Sequence, residues 1–283
     1  MTAPVIYLDT NHISHLARNP QDVAAANILA LLHSGSVDLA FSVLHMVELS
    51  DPNFKSFPDV CRLLDSVRIA WAILPHALND LELEIAFARA FEEKLPEPRA
   101  FFASPKQALN YPFPDTALPS DALEAMREIP RMRDVLLNEA TDHAREYDQV
   151  KNNAVAVTRP SEPLLSRIRD YILKTNPAGA PLAREFIPDS ILERAGGLKA
   201  FPAYAIHQGL IVSRLKDPKY VTERNTIMDE WHAVYAPYVA AMALDRATAQ
   251  RFRSMKLPAA SRVTAKLHEI PALLTSLPEE ADD

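Results

Sequence analysis

The chain has little of several things that usually announce a function. Of its 283 residues one is cysteine, Cys61, which excludes an internal disulfide framework and a cysteine-rich zinc site. Glycine is scarce too: Gly35, Gly179, Gly196, Gly197 and Gly209 build neither a GxGxxG turn nor a Walker loop, so dinucleotide and nucleoside triphosphate binding lose their main signal. No apolar run approaches the roughly 20 residues that a membrane helix needs, and no basic-then-apolar leader opens the sequence. Basic charge is also in deficit, with a formal net charge of −7. A protein that grips long duplex nucleic acid is usually basic, because phosphate neutralisation supplies most non-specific affinity. A small phosphodiester site stays open, since a bound cation inverts the local charge. Zinc hydrolysis of the HExxH kind has no motif here, and a GxSxG nucleophile elbow is missing.

What is present describes a globular chain with an ordinary core, 48% apolar and 24% charged, expected in the cytoplasm without membrane contact. The 23 prolines punctuate loops and helix starts. Residues 4–9 read as a short buried parallel strand, with Asn11 as the cap of a helix over 12–18 and a second helix over 21–33. Gly35-Ser36 turns into a second strand, Val37–Phe41, after which Ser42 caps a helix carrying Leu44, Val47 and Glu48. A helix near 57–66 leads to a third strand, Ile69–Leu74, closed by Pro75. Strand alternating with helix predicts a doubly wound parallel sheet.

From about 78 to 216 the pattern changes to helical periodicity with little strand signal. A helix is expected over Leu81–Glu93, a proline-rich loop over 95–119, and helical segments near 120–154, 162–175, 188–195 and 199–216. Arginines and a lysine on these helices (Arg127, Arg131, Arg133, Arg145, Lys151) are interleaved with acids, which reads as a salt-bridged surface before it reads as an RNA-guiding face. The α/β pattern then resumes, with a helix over Arg224–Val234, a strand over Tyr238–Leu244, a helix over Ala247–Met255, a strand over Ser261–Ala265 and a helix over Ile270–Leu277. The division expected is an α/β domain made of 1–77 and 222–283, with 78–221 as a helical insertion. The residues 279–283 read as an acidic solvated tail.

Asp9 and Asp245 each follow a predicted strand directly, so a parallel sheet places both at one edge, where open α/β folds keep their chemistry. Glu48 lies in the second turn after strand two, and Asp229 and His232 share one face of the helix before the next strand. Mg²⁺ and Mn²⁺ prefer oxygen ligands, and a few carboxylates are an adequate shell for either. Singly, each acid has a plainer meaning: Asp9 as a turn residue, Glu48 and Asp229 as helix surface, Asp245 as the cap of the next helix. A phosphatase of the haloacid dehalogenase type also opens with a strand ending in Asp, but it needs a second Asp two residues on, where this chain has Asn11.

The stretch Val5-Ile6-Tyr7-Leu8-Asp9-Thr10-Asn11 resembles the opening of a PIN domain, a metal-dependent nuclease fold. Leu39–Leu49, with Ser42 and Glu48, is similar to the second motif of that family, and Asp229 through Leu244-Asp245 to its third and fourth acid motifs. The resemblance covers about 4–75 and 224–278 and leaves the helical middle without a counterpart. It implies a three-layer α/β/α sandwich around a central parallel sheet, and a Mg²⁺ or Mn²⁺ site formed by Asp9, Glu48, Asp229 and Asp245. Thr10 or Asn11 would orient the first acid, with Ser42 and His232 in support. The implied activity is endoribonuclease hydrolysis of RNA phosphodiester bonds, leaving a 5′-phosphate. Many members are the toxin halves of toxin–antitoxin pairs, so an antitoxin-like protein partner and a homo-oligomer enter as expectations. The rival from another class is a catalytically degenerate PIN-like scaffold or protein-interaction module.

Overall fold

The structure is a computed structural model that describes residues 3–51, 54–90, 99–109, 122–157, 193, 196–216 and 219–276. Its centre is β1, Val5–Leu8, whose last three residues are fully buried. Hydrogen bonds join six strands in the order β4-β3-β2-β1-β5-β6. β1 pairs in parallel with β2 (Asp38–Phe41) on one side and with β5 (Ala241–Ala243) on the other, Leu8 opposite Ala243. β3 (Ile69–Ala72) extends the sheet beyond β2, and β6 (Val263–Thr264) extends it beyond β5, both in parallel. The chain builds outward from β1 in one direction and later returns to add β5 on the opposite side. The β1/β5 boundary is therefore a topological switch point, the place where open α/β sheets leave a crevice at their carboxyl ends. Asp9 and Asp245 stand there.

Helices cover both faces, because strand side chains alternate and each face must bury its own set. Ile6, Leu8, Leu39, Phe41, Ala241 and Ala243 share a core with helices α1 (Thr10–Arg18), α2 (Val23–His33) and α4 (Phe57–Ser66). Tyr7, Ala40, Ala72 and Met242 face the other way, toward α3 (Val43–Leu49) and α5 (Pro75–Ala90). The same core takes in α7 (Ala122–Val157), α8 (Pro202–Leu215), α9 (Arg224–Ala233) and α10 (Arg246–Ser254). Leu81, Tyr147 and Ile211, all from the segment expected as an insertion, are buried in that layer. Burying a large apolar side chain of this kind contributes about 1.5–3 kcal/mol. The described helices of 78–221 are thus part of the main core.

Several local expectations are corrected. Asp9, not Asn11, caps α1, its carboxylate accepting from the His12 backbone N–H at 2.9 Å. Pro75 opens α5 and does not merely close β3, because proline is tolerated in a first helical turn, where its missing N–H has no intrahelical partner. The expected loop 95–119 contains a two-residue strand, β4 (Phe101–Phe102), antiparallel to β3, and a short helix, α6 (Pro105–Leu109). Two residues are too few to show a period, and Pro105 marks a helix start there. The strand expected over Tyr238–Leu244 is only Ala241–Ala243, since Ala236–Tyr238 forms a 3₁₀ turn. The helices expected at 162–175 and 188–195, Glu193 apart, and the acidic tail lie outside the described residues.

Candidate functional site

A cleft of about 530 Å³ opens at the carboxyl edge of the sheet, and Glu48, Asp229 and Asp245 line it together with Thr10 and Asn11. That volume is in the range of small-ligand and cofactor sites. Asp9 is not part of the lining; it is 8% exposed, at the end of β1, with its backbone N–H donating to Ala243 at 2.9 Å. Ser42 is fully buried at the end of β2, and His232, 2% exposed, is on α9 one turn after Asp229.

Local structure holds three of the four acids by one oxygen each. Asp9 Oδ1 accepts from the His12 backbone and lies 2.6 Å from His12 Nδ1. Asp245 Oδ1 accepts from the N–H groups of Ala247 and Thr248 at 2.8 and 3.1 Å, capping α10. Glu48 Oε2 accepts from the Thr10 hydroxyl and lies 3.4 Å from His232 Nε2. Among the described residues the second oxygen of each makes no hydrogen bond, and Asp229 makes none at all.

The charges feel one another. Burial, the negative charge of Asp245 and then those of Glu48 and Asp9 push the Asp229 carboxyl up to about 7, against the lowering effect of His232. Burial works on Glu48 in the same direction, yet the His232 imidazolium and the Thr10 hydroxyl overcome it and hold the Glu48 carboxyl at about 2. Burial would lower His232, but Glu48, Asp9 and Asp229 raise it, so Glu48 and His232 form an ion pair. His12 is likewise raised by Asp9 against its burial.

Behind Glu48 runs a buried polar chain. Ser42 donates its backbone N–H to His45 Nδ1 at 2.9 Å, a capping box in which histidine stands where the usual Glu or Gln would be. Nδ1 is therefore an acceptor, and His45 Nε2–H donates to the Leu8 carbonyl at 2.8 Å. Burial and the nearby His232 charge depress His45 to about 3, which keeps it neutral. The Ser42 hydroxyl, 3.0 Å from His45 Nδ1, donates to it and accepts from the Tyr7 hydroxyl at 3.1 Å. Tyr7 in turn accepts from His232 Nδ1 at 2.5 Å, which leaves Nε2 on the Glu48 side, in an ion-pair contact at 3.4 Å without a formed hydrogen bond. Every hydrogen in this sequence has one direction.

Among the described residues no three His, Cys, Asp or Glu side chains converge on one point as a closed metal cage. The donor set still suits a hard cation: four carboxylates line one cleft, Glu48, Asp51, Asp229 and Asp245, and burial together with the charges of Asp245, Glu48 and Asp9 raises the Asp229 carboxyl, a cost that a bound cation would relieve. Mg²⁺ in particular keeps several waters and is held by one or two carboxylates plus substrate phosphate, without an all-protein cage.

Tyr7, His12, His45 and Arg224 line the cleft or support its acids with no motif in the sequence that marks them, and Arg133 stands in the sequence only among interleaved charges. Tyr7 and His45 left a faint trace, a phenol inside an apolar strand and a histidine at the third position after a capping serine. No family model, curated protein or solved structure matches the chain. Among the described residues, no helix is long and apolar enough to cross a membrane.

Proposed function

We propose that the cleft is the active centre of a Mg²⁺- or Mn²⁺-dependent endoribonuclease of the PIN type. The observation that carries this reading is the meeting of Glu48, Asp229 and Asp245 in one cleft at the sheet's switch point, with Asp9 immediately behind. When bound, the metal supplies an activated water and neutralises charge on the phosphate. Asp229 and Asp245 present carboxylate oxygens at the cleft wall for that ion, and Glu48 presents the oxygen left free by Thr10 and His232. Asp9, fixed by His12, adds negative potential from behind and favours cation entry. Asn11 offers the cleft an amide for the substrate's sugar or phosphate oxygens.

A second reading takes its support from the described residues, among which no three-ligand cluster occurs: a PIN-like scaffold or protein-interaction module that has lost catalysis. Incubating the pure protein with single-stranded and structured RNA, in Mg²⁺, in Mn²⁺ and in EDTA, separates the two. The nuclease reading expects cleavage that leaves 5′-phosphate ends, stops in EDTA and disappears in Asp229→Asn and Asp245→Asn. Intact RNA under every metal condition supports the scaffold.

A further inference from the structure

The acids share their cleft with two guanidinium groups. Arg133 and Leu137 line it from one face of α7, being four residues apart, and Arg224 and Asn225 line it from the first turn of α9. Asn225 precedes Asp229 by four residues on α9, a rise of roughly 6 Å along one helix face.

Several other described cations near these helices are consumed by structure. Arg145 pairs with Asp142 at 3.1 Å, Lys151 reaches Asp148 at 3.3 Å and the Tyr220 carbonyl, and Arg214 and Arg251 both bind Glu230. The side chains of Arg127 and Arg131 lie outside the described set. Arg133 and Arg224 differ. The carboxylate oxygens near Arg133, from Asp134 and Asp51, stand at 3.8 and 3.9 Å, beyond a charge-assisted hydrogen bond, and its Nε is buried without a partner. Arg224 is exposed, and its one hydrogen bond is a 3.5 Å contact to the Asn225 side-chain oxygen.

A phosphate at the carboxylates would be neutralised by a cation bound there and would have no need of arginine. Two guanidiniums with donors to spare in the same cleft call for a second anion. We infer that Arg133 and Arg224 form an anchoring subsite for the phosphate next to the scissile one. The cleft then takes a polynucleotide strand with at least two consecutive phosphodiesters, and helix α7 of the 78–221 segment supplies half of the anchor. The inference rests on the ribonuclease reading for the phosphate at the acids.

The test is fluorescence anisotropy of a short fluorescein-labelled single-stranded RNA in Mg²⁺, over a range of salt. It uses the full chain on the Asp229→Asn background, so that the strand stays intact. Arg133→Gln and Arg224→Gln are each expected to raise Kd about tenfold, as loss of a charge-assisted contact does. Each is also expected to flatten the slope of log K against log salt by about 0.7. Arg224 is exposed, so its variant removes no buried contact. In cleavage assays on the native background, KM rises with kcat held for the strand, while a dinucleoside monophosphate, which has one phosphate, is insensitive. Unchanged Kd and slope in both variants overturn the anchor, and so does a wild-type cleft that binds no RNA. Binding that falls in the variants of a protein that never cleaves keeps the anchor and removes the nuclease reading. Cleavage with unchanged KM in both variants does the reverse.

Discussion

His232 Nε2 stands 3.4 Å from Glu48 Oε2, while the other ring nitrogen of His232 is 2.5 Å from the Tyr7 hydroxyl. One buried imidazolium thus ties a cleft acid on α3 to the central strand of the sheet. One oxygen of Glu48, Oε2, is held from two sides, by Thr10 on α1 and by His232 on α9, so three elements fix one carboxylate. Partners of this kind that orient a metal ligand commonly govern affinity by 10–100-fold.

His232→Gln is therefore expected to weaken Mn²⁺ binding by about 10–100-fold in calorimetric titration. Tyr7→Phe leaves the ion pair but removes the hydroxyl that joins His232 to Ser42. Stranding those buried groups is expected to cost about 1–3 kcal/mol in denaturant unfolding, with a smaller effect on the metal. Equal metal affinity in wild type and His232→Gln would remove the orienting role.

The Asp229 carboxyl, held at about 7, is directly measurable by carbon NMR titration of the metal-free protein. Asp245 is the neighbour whose negative charge raises it most. Replacing Asp245 with Asn takes a like charge away, so the Asp229 carboxylate becomes easier to form and its pKa falls. A titration near 4 in the wild type would show that these acids do not share a field.

Arg214 and Glu230 form a bidentate pair, at 2.7 and 2.6 Å, with both side chains 1% exposed. The pair joins α8 to α9, the helix that carries Asp229 and His232. Arg214→Met leaves Glu230 buried with only Arg251, at 3.2 Å, and is expected to destabilise by about 3–5 kcal/mol. The double variant Arg214→Met/Glu230→Leu removes both charges and is expected to recover most of that loss. Equal instability of single and double variants would place the cost in packing, not in the stranded charge.

His207 is 6% exposed, hydrogen-bonded to Asn79 at 3.0 Å, and depressed to about 3 by burial and the nearby Arg214 charge. Its folded pKa lies below the unfolded value of about 6.5, so the unfolded chain takes up the extra proton as pH falls. Stability contributed by neutral His207 is complete above about 6.5 and declines toward 3, by about 1.4 kcal/mol per pH unit. His207→Gln lacks this term. The stability difference between wild type and variant should therefore shrink between pH 6 and 4 with that slope; a constant difference would contradict neutral burial.

The parallel sheet and the strand-end positions of Asp9 and Asp245 were legible because short apolar runs ending in polar residues are strong local signals. Ser42 as a helix cap was legible for the same reason. The contribution of α7 to the cleft was not: Arg133 looks like its salt-bridged neighbours until the tertiary fold sets it in the cleft wall, with only long ion pairs to Asp134 and Asp51. The direction of the Tyr7–Ser42–His45 chain was equally hidden, since residues 7, 42, 45 and 232 meet only when β1, β2 and α9 are packed together. The antiparallel edge strand Phe101–Phe102 was masked by the prolines around it. Asp245 caps α10 with one oxygen, as its plainer sequence reading expects, and lines the cleft as well.

The most direct test is anomalous scattering at the manganese edge from crystals of the full chain soaked in MnCl₂. The expected result is a peak in the cleft within coordination distance of oxygens from Glu48, Asp229 or Asp245, and its loss in Asp229→Asn/Asp245→Asn. A solvent-open cleft with no peak at saturating manganese, in crystals that diffract well, would contradict a metal-dependent nuclease site.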